Sequence, residues 1–386
     1  MTRRPEPGAT RGRVVSIVAP ALLAVTLLLP AVARGEPYLA VRTGLACAAC
    51  HVNPTGGGKR TDFGSAYGQT ALAATRIDLS ARKLVAATDA AAGPPWTGRV
   101  NQYIALGADL RATTQRTRVP GVANTQALNQ TRAQVYLEVK PFGDQFSLYV
   151  DERVAPGTPN AREAYALVRF ANQSAYLKAG RMFVPFGLRI EDDSAFIRQV
   201  SGVNFNASDK GVEGGLELGP WSTSVAVTEG TQGGAQTSRG KLVSAIANYV
   251  QPGWRAGLSL SSQANGGADR RMQSLFGGLR TGSVSWLAAA TYVSEDGTPI
   301  GRLQQWATLV EGNVEFAQGH NLKLSYEHHD PNVDVREDQR ERYSAVWEFV
   351  PFQYTQLRLG ARKNRGIPQN RPQNASEWFV QWHAYF

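Results

Sequence analysis

The sequence predicts an all-β fold: a transmembrane, outer-membrane-type β-barrel of about 16 antiparallel strands behind a small N-terminal segment. Three observations lead there. From about Arg99 to Phe386 the chain falls into short stretches of alternating polarity separated by Gly, Pro, Asn and Asp clusters, the repeated signal of strands with one apolar and one polar face. The connections between those stretches alternate between short and long, as they do when an even number of strands is joined by tight turns at one end and loops at the other. The chain also ends on an apolar stripe, Trp378, Val380, Trp382, Ala384 and the terminal Phe386.

Residues 1–35 read as a secretory signal peptide. Arg3, Arg4, Arg11 and Arg13 form a basic n-region, Val14 to Leu29 is an apolar core broken only by Ser16, Pro20 and Thr26, and Ala31-Val32-Ala33 or Ala33-Arg34-Gly35 offers a small-residue cleavage site. Beyond residue 35 no apolar run reaches about 18 residues, so the rest of the chain is expected to have no membrane-spanning helix.

Residues 36–95 are expected to form a monohaem cytochrome c plug and its linker. Both cysteines of the chain lie in Cys47-Ala48-Ala49-Cys50-His51. That spacing suits covalent attachment of haem c: two thiols add across the vinyl groups of one haem, and the adjacent histidine is left to ligate the iron. A redox dithiol shares the C-x-x-C spacing, but it has no need of His51, and nothing nearby reads as a βαβ unit. Export agrees with the motif, because haem c is attached after export. Ser65 to Lys83 is compatible with one or two helices, and Asp89 to Pro95 reads as the linker. The unit is too short to bury a large core without the haem. A barrel of about sixteen strands has a wide lumen to fill, so the plug is expected in or against the periplasmic mouth.

The sixth iron ligand is open at this level. Met182 and Met272, the methionines left after signal removal, lie outside the plug. Of the histidines beyond the motif, His383 and His320 are expected at the periplasmic end and are the candidate distal ligands. Tyr67, Lys59 or an open position are the alternatives.

The barrel itself, residues 96–386, is expected to have strands beginning near residues 99, 131, 145, 162, 174, 211, 221, 240, 253, 271, 284, 304, 320, 341, 353 and 376. In Arg132 to Lys140, Ala133, Val135, Leu137 and Val139 share the face assigned to lipid, and Arg132, Gln134, Tyr136, Glu138 and Lys140 share the face assigned to a polar lumen. Phe146, Leu148 and Val150 repeat the lipid face, as do Leu357, Leu359 and Ala361. Lys140 to Asp144, Gly219-Pro220, Gln251 to Gly253 and Pro351-Phe352 are the expected short periplasmic turns.

The connection from Val184 to about Lys210 is the longest, and Gly180 to Leu188 at its start resembles the strand end and third loop of porins, the phosphate-selective group included. In such porins the loop folds inward, so the resemblance implies Arg189, Glu191, Asp192, Asp193 and Arg198 at a pore constriction. The C-terminal stripe resembles the terminal signature of outer-membrane proteins and turns His383 into the lumen. The net charge of +10 falls to +6 if five Arg and one Glu leave with residues 1–35. This modest balance suits an anionic lipid leaflet or an anion-preferring lumen and gives no support for nucleic-acid binding. No phosphate loop, Ser-His-Asp arrangement, EF-hand or H-E-x-x-H motif occurs.

A signal peptide, Arg42-Thr43-Gly44-Leu45-Ala46-Cys47-Ala48-Ala49-Cys50-His51 near the mature N-terminus and one porin-like barrel to the C-terminus together resemble the fused outer-membrane monohaem cytochrome-porins of iron-oxidising bacteria. The resemblance implies extracellular electron transfer, with Fe(II) oxidised at the outer surface and the electron delivered to a periplasmic cytochrome. The following residues, Val52 to Lys59, do not match a pattern tied to iron oxidation. The reading that competes with it is a solute or anion porin carrying a haem-bearing plug.

Overall fold

A computed structural model describes residues 36–386 apart from 79, 123–124, 232–239 and 265–268. The predicted signal peptide lies outside the described residues. The N-terminal segment opens with helix α1 (Pro37–Thr43), followed by the single turn α2 (Cys47–Cys50) and helix α3 (Asp62–Tyr67). Where sequence reasoning expects helix from Ser65 to Lys83, α3 continues only as a wide turn over Gly68–Leu72. The chain then forms a hairpin of β1 (Thr75–Asp78) and β2 (Lys83–Ala86). The hairpin owes its form to the barrel: the Thr75 amide donates to Pro351 O at 3.1 Å and the Ile77 amide to Gln353 Oε1 at 2.7 Å.

Sixteen strands then close into one antiparallel barrel. They begin with β3 (Ile104–Arg118), β4 (Thr125–Val139), β5 (Phe146–Ala155), β6 (Asn160–Phe170), β7 (Ala175–Phe183) and β8 (Ser208–Leu218). The wall continues through β9 (Trp221–Thr228), β10 (Lys241–Gln251), β11 (Trp254–Ala264), β12 (Arg270–Thr281) and β13 (Val284–Thr298). It ends with β14 (Gly301–Ala317), β15 (His320–Asp330), β16 (Arg340–Phe349), β17 (Thr355–Arg365) and β18 (Ser376–Tyr385). The seam forms where β18 pairs with β3, from Ser376 opposite Arg118 to Tyr385 opposite Asp109. Every predicted strand has its counterpart; β4 is the farthest displaced, beginning at Thr125. The turns at one end are short throughout. At the other end four connections, 119–124, 156–159, 265–269 and 299–300, are no longer than the 140–145 turn, so the expected alternation is less regular than the sequence suggests.

Side-chain period two sorts the two faces of the wall. Val135, Leu137, Leu148, Leu177, Leu275 and Val380 stand exposed on the outside, while Tyr136, Glu138, Tyr149 and Asp151 are buried inside. An exposed apolar band on a closed barrel, with every ladder hydrogen bond made within the wall, is the form in which strands cross a bilayer. Aromatic groups border it at both rims: Trp221, Tyr249 and Trp254 near the short turns, and the pairs Tyr292–Trp306 and Tyr326–Tyr343 toward the loops.

The lumen corrects one expectation, because its wall is not polar all round. Leu242, Met272, Phe276, Leu287, Ala289, Val293, Ala307 and Leu309 face inward and form a core with Tyr38, Leu39 and Val41 of α1. The same core takes in Val184, Phe186, Leu188, Ile190 and helix α4 (Phe196–Ser201) from the connection between β7 and β8. That connection does fold into the lumen, where it packs as a hydrophobic layer. The N-terminal segment is held at the short-turn end: the Gly253 amide donates to Val41 O at 2.7 Å, the Ala74 amide to Val350 O at 2.8 Å, and Gln318 Nε2 to Ala71 O and Ala73 O. Gly44, at φ +73, approaches this end so closely that a Cβ would lie 2.3 Å from Pro252 Cδ.

Candidate functional site

The site begins with one helical turn. The His51 amide donates to Cys47 O at 3.0 Å and closes α2, so the two cysteines and the histidine lie within a single turn and its exit. The cysteines are not joined in a disulfide. Cys50 is 2% exposed; burial, with the neighbouring Cys47 adding to it, pushes its thiol up to about 12. Helix α3 lies directly against this turn. Thr61 caps it by accepting from the Gly64 amide at 3.1 Å and donates its own hydroxyl to Ala49 O at 2.8 Å. Gly64 is required there, since a Cβ would come within 2.2 Å of Cys50 O.

Between α2 and α3 the chain reverses through residues 52–59, with Gly56, Gly57 and Gly58 all at positive φ. Barrel side chains fasten this loop from several strands. Asn53, fully buried, donates to Glu163 Oε1 at 2.8 Å and accepts from Lys178 Nζ at 3.2 Å. Lys178 also pairs with Glu213 at 2.7 Å. The Lys59 amide donates to Tyr149 Oη at 2.9 Å, and Arg189 Nη1 donates to Thr55 O and Gly56 O at 3.2 and 2.6 Å. A polar half of the lumen thus grips the loop while the apolar half packs α1. Sequence reasoning missed Asn53, Glu163 and Lys178; their signal is the recurrence of charged residues on the inward face of strands, beside a loop whose own sequence matches no pattern tied to iron oxidation.

Cys47, Cys50 and His51 open onto one cavity inside the strands, which Leu45, Tyr67 and Leu72 also line. Its volume is about 270 Å³, close to the lower end of the roughly 300–1,000 Å³ of ordinary ligand and cofactor sites. The donor set fits a haem c: two unpaired thiols one turn apart would carry it, His51 would ligate its iron, and Leu45, Leu72 and Tyr67 supply apolar wall.

The predicted distal ligands fare differently. His383 does face the lumen and lines the same cavity, with both ring nitrogens engaged: Nε2 is 2.7 Å from Asp109 Oδ2 and Nδ1 is 2.9 Å from Gln356 Oε1. His320 borders the same cavity, but it pairs in register with Phe349 and its ring stacks on that residue at 4.2 Å and on Trp347 at 5.6 Å, in the aromatic rim. Alternation with the buried Asn321 next to it sets that face. Lys59 Nζ donates to Arg60 O at 3.0 Å and sits 3.7 Å from Glu138.

The predicted constriction residues all lie on the inward-folded connection, and each is occupied. Arg189 holds the 52–59 loop. Glu191 pairs with Arg111 and with Arg358 at 3.2 Å; burial works against ionisation, yet these guanidinium groups hold its carboxyl down at about 2. Asp192 pairs with Arg342 and Arg362 at 3.2 and 2.7 Å and is likewise held well below the usual range against its burial. Asp193 pairs with Arg198 at 3.3 Å, whose guanidinium burial lowers to about 10. Glu36, Glu191 and Glu348 bring carboxylate oxygens within 4.8 Å of one another. Lys323, 3.3 Å from both Glu36 and Glu348, and Arg358, 3.2 Å from Glu348, already balance this cluster, and burial pushes Glu36 up to about 7.

No protein-family model matches the chain, and no curated protein matches it. Solved structures do. A loop-deletion mutant of OmpT, an outer membrane protein of Vibrio cholerae, superposes with a TM-score of 0.58 at 11% identity, over 74% of this chain and 100% of that one. OmpF of Salmonella typhi, in complex with daunomycin, gives 0.56 at 10% identity over 75% and 99%. An anion-selective porin from Comamonas acidovorans gives 0.55 at 12% identity over 73% and 99%. The barrel has the fold of the outer-membrane porins.

Proposed function

We propose that the chain is an outer-membrane electron-transfer protein. In this reading a single haem c is bound through Cys47 and Cys50, with His51 as its proximal ligand. It passes electrons between an extracellular redox substrate, Fe(II) foremost, and a periplasmic cytochrome; Fe(II) oxidase activity follows where Fe(II) is the donor. The observation that carries the reading is the shared cavity of Cys47, Cys50 and His51 within the ring of strands. An apolar band about 25 Å tall separates the two aqueous sides, so one redox centre can serve both only from within the lumen. The haem supplies one-electron redox chemistry when bound. The chain's own residues hold it: the Asn53, Tyr149 and Arg189 contacts fix the loop that follows the motif, and α1 packs the apolar wall beside it. The test is purified protein in oriented liposomes. A c-type spectrum that Fe(II) added outside reduces, and a cytochrome enclosed within reoxidises, supports the reading; a haem that no external donor or acceptor reaches overturns it.

The inward fold of the connection between β7 and β8, together with the likeness to an anion-selective porin, favours a second reading: a solute or anion porin whose haem segment is a plug. Planar-bilayer conductance separates the two. A large, ion-selective steady current favours the porin, and a closed barrel with redox-active haem favours the electron conduit.

A further inference from the structure

We propose that Arg255, oriented by Asn248, is a carboxylate-recognition site in the wall of the cavity that Cys47, Cys50 and His51 share. Arg255 is the second residue of β11 and faces inward, 6% exposed. Its Nη2 donates to Asn248 Oδ1 at 3.1 Å, and its Nε is buried without a hydrogen-bond partner. Among the described residues no carboxylate lies within 4.0 Å of it. Several other inward guanidinium groups have a carboxylate partner: Arg111 has Asp109, Arg342 has Glu327, Arg358 has Glu348 and Arg362 has Asp192. A buried cation without a counter-ion is strongly unfavourable, and its planar fork suits a carboxylate better than any other anion of similar charge except phosphate.

The surroundings are built to hold that fork in place. Asn248 lies opposite Gly257 in the β10–β11 ladder, and a Cβ at Gly257 would come within 2.9 Å of Asn248 Oδ1 and 2.2 Å of the Phe276 ring. The glycine therefore leaves Asn248 room to turn to Arg255, while Phe276 backs the guanidinium at 5.6 Å. Both Arg255 and Asn248 line the cavity that Cys47 also lines. A carboxylate arrives there from one of two sources: a propionate of the haem, which rests on the function proposed above, or a free carboxylate solute in the lumen.

The test compares Arg255→Gln and Arg255→Lys with the parent protein as purified, reading haem attachment, midpoint potential, the resonance Raman propionate mode, and block of barrel current by succinate. If a propionate is the occupant, Arg255→Gln keeps its thioether-bound haem, lowers the midpoint potential because lost positive charge favours the ferric state, and shifts the propionate mode. Arg255→Lys then restores the potential and only part of the mode, since an ammonium cannot bind bidentately. If a solute is the occupant, the haem readouts stay put and succinate blocks Arg255→Gln at least about tenfold more weakly, with Arg255→Lys intermediate. Neither haem nor succinate readout moving overturns the site. A parent protein without a c-type spectrum overturns the proposed function alone, and the succinate arm then decides the site. Asn248→Leu, which leaves the charge in place, gives the same pattern in weaker form should Arg255→Gln fail to assemble.

Discussion

Replacing Asn53 by alanine should release the 52–59 loop while leaving the barrel intact. The side chain is wholly buried. It makes bonds of 2.8 and 3.2 Å to Glu163 and Lys178 and accepts from the Thr55 amide and hydroxyl at 3.2 and 3.0 Å. Hydrogen bonds to charged groups contribute about 1.5–3 kcal/mol each. Neither charged partner is orphaned by the change, because Lys178 keeps Glu213 at 2.7 Å and Glu163 keeps the Phe183 amide at 3.0 Å. The net cost is therefore toward the lower end, about 2–4 kcal/mol for the two together. At 1.4 kcal/mol per tenfold, the undocked loop becomes roughly 30- to 700-fold more populated. Hydrogen exchange by mass spectrometry in nanodiscs reads this at the amides of Val52, Gly56 and Lys59, which donate to Lys59 O, Asn53 O and Tyr149 Oη in the docked loop. Protection in β6, β7 and β8 should not change. Unaltered exchange in the loop, or an equal rise throughout those strands, would refute the latch.

Cys47→Ala or Cys50→Ala should weaken or abolish covalent haem attachment without preventing barrel formation, since neither residue takes part in a barrel strand; haem staining and heat-dependent gel mobility read the two outcomes separately, and a fully haem-positive double variant would sink the attachment site. In protein made without haem maturation, Cys50 should resist iodoacetamide at neutral pH and react faster only as pH climbs toward 12, because burial holds it as the neutral thiol. A rate profile with its midpoint near the ordinary thiol value of about 8.5 would contradict that burial.

The wall of the barrel is legible in the sequence because its rule is local. Val135, Leu137, Tyr136 and Glu138 divide between lipid and lumen by alternation alone, and turns such as Gln251-Pro252-Gly253 announce themselves. What the sequence hides depends on partners far away along the chain. Leu242, Met272 and Leu309 occupy lumen positions that alternation marks as polar; they are apolar because Tyr38, Leu39, Phe196 and Val200 come to cover them. Thr75 to Asp78 forms a strand because Pro351 and Gln353 offer it hydrogen bonds. His320 opens β15 one residue before the inward-facing Asn321, so alternation turns its ring to the outer face, and only the exact first residue of the strand reveals this. In the candidate site, Cys47, Cys50 and His51 are readable from their spacing, whereas the contacts that secure them come from Glu163, Lys178, Tyr149 and Arg189, which no spacing connects.

The enclosure of the motif also dictates an order of assembly. The seam between β3 and β18 closes directly over the segment: the Arg60 guanidinium lies 4.1 Å from the Tyr385 ring centre, and Gly107 passes so near Lys59 that a Cβ there would lie 3.4 Å from its Cγ. Once that seam is zipped, Cys50 is beyond the reach of any attachment enzyme. In the electron-transfer reading proposed above, haem attachment would therefore have to precede barrel closure, which then seals whatever state the segment has reached. On that reading, a chain whose seam closed first would be locked in without its haem, and the yield of haem-bearing barrel would depend on which of the two steps comes first.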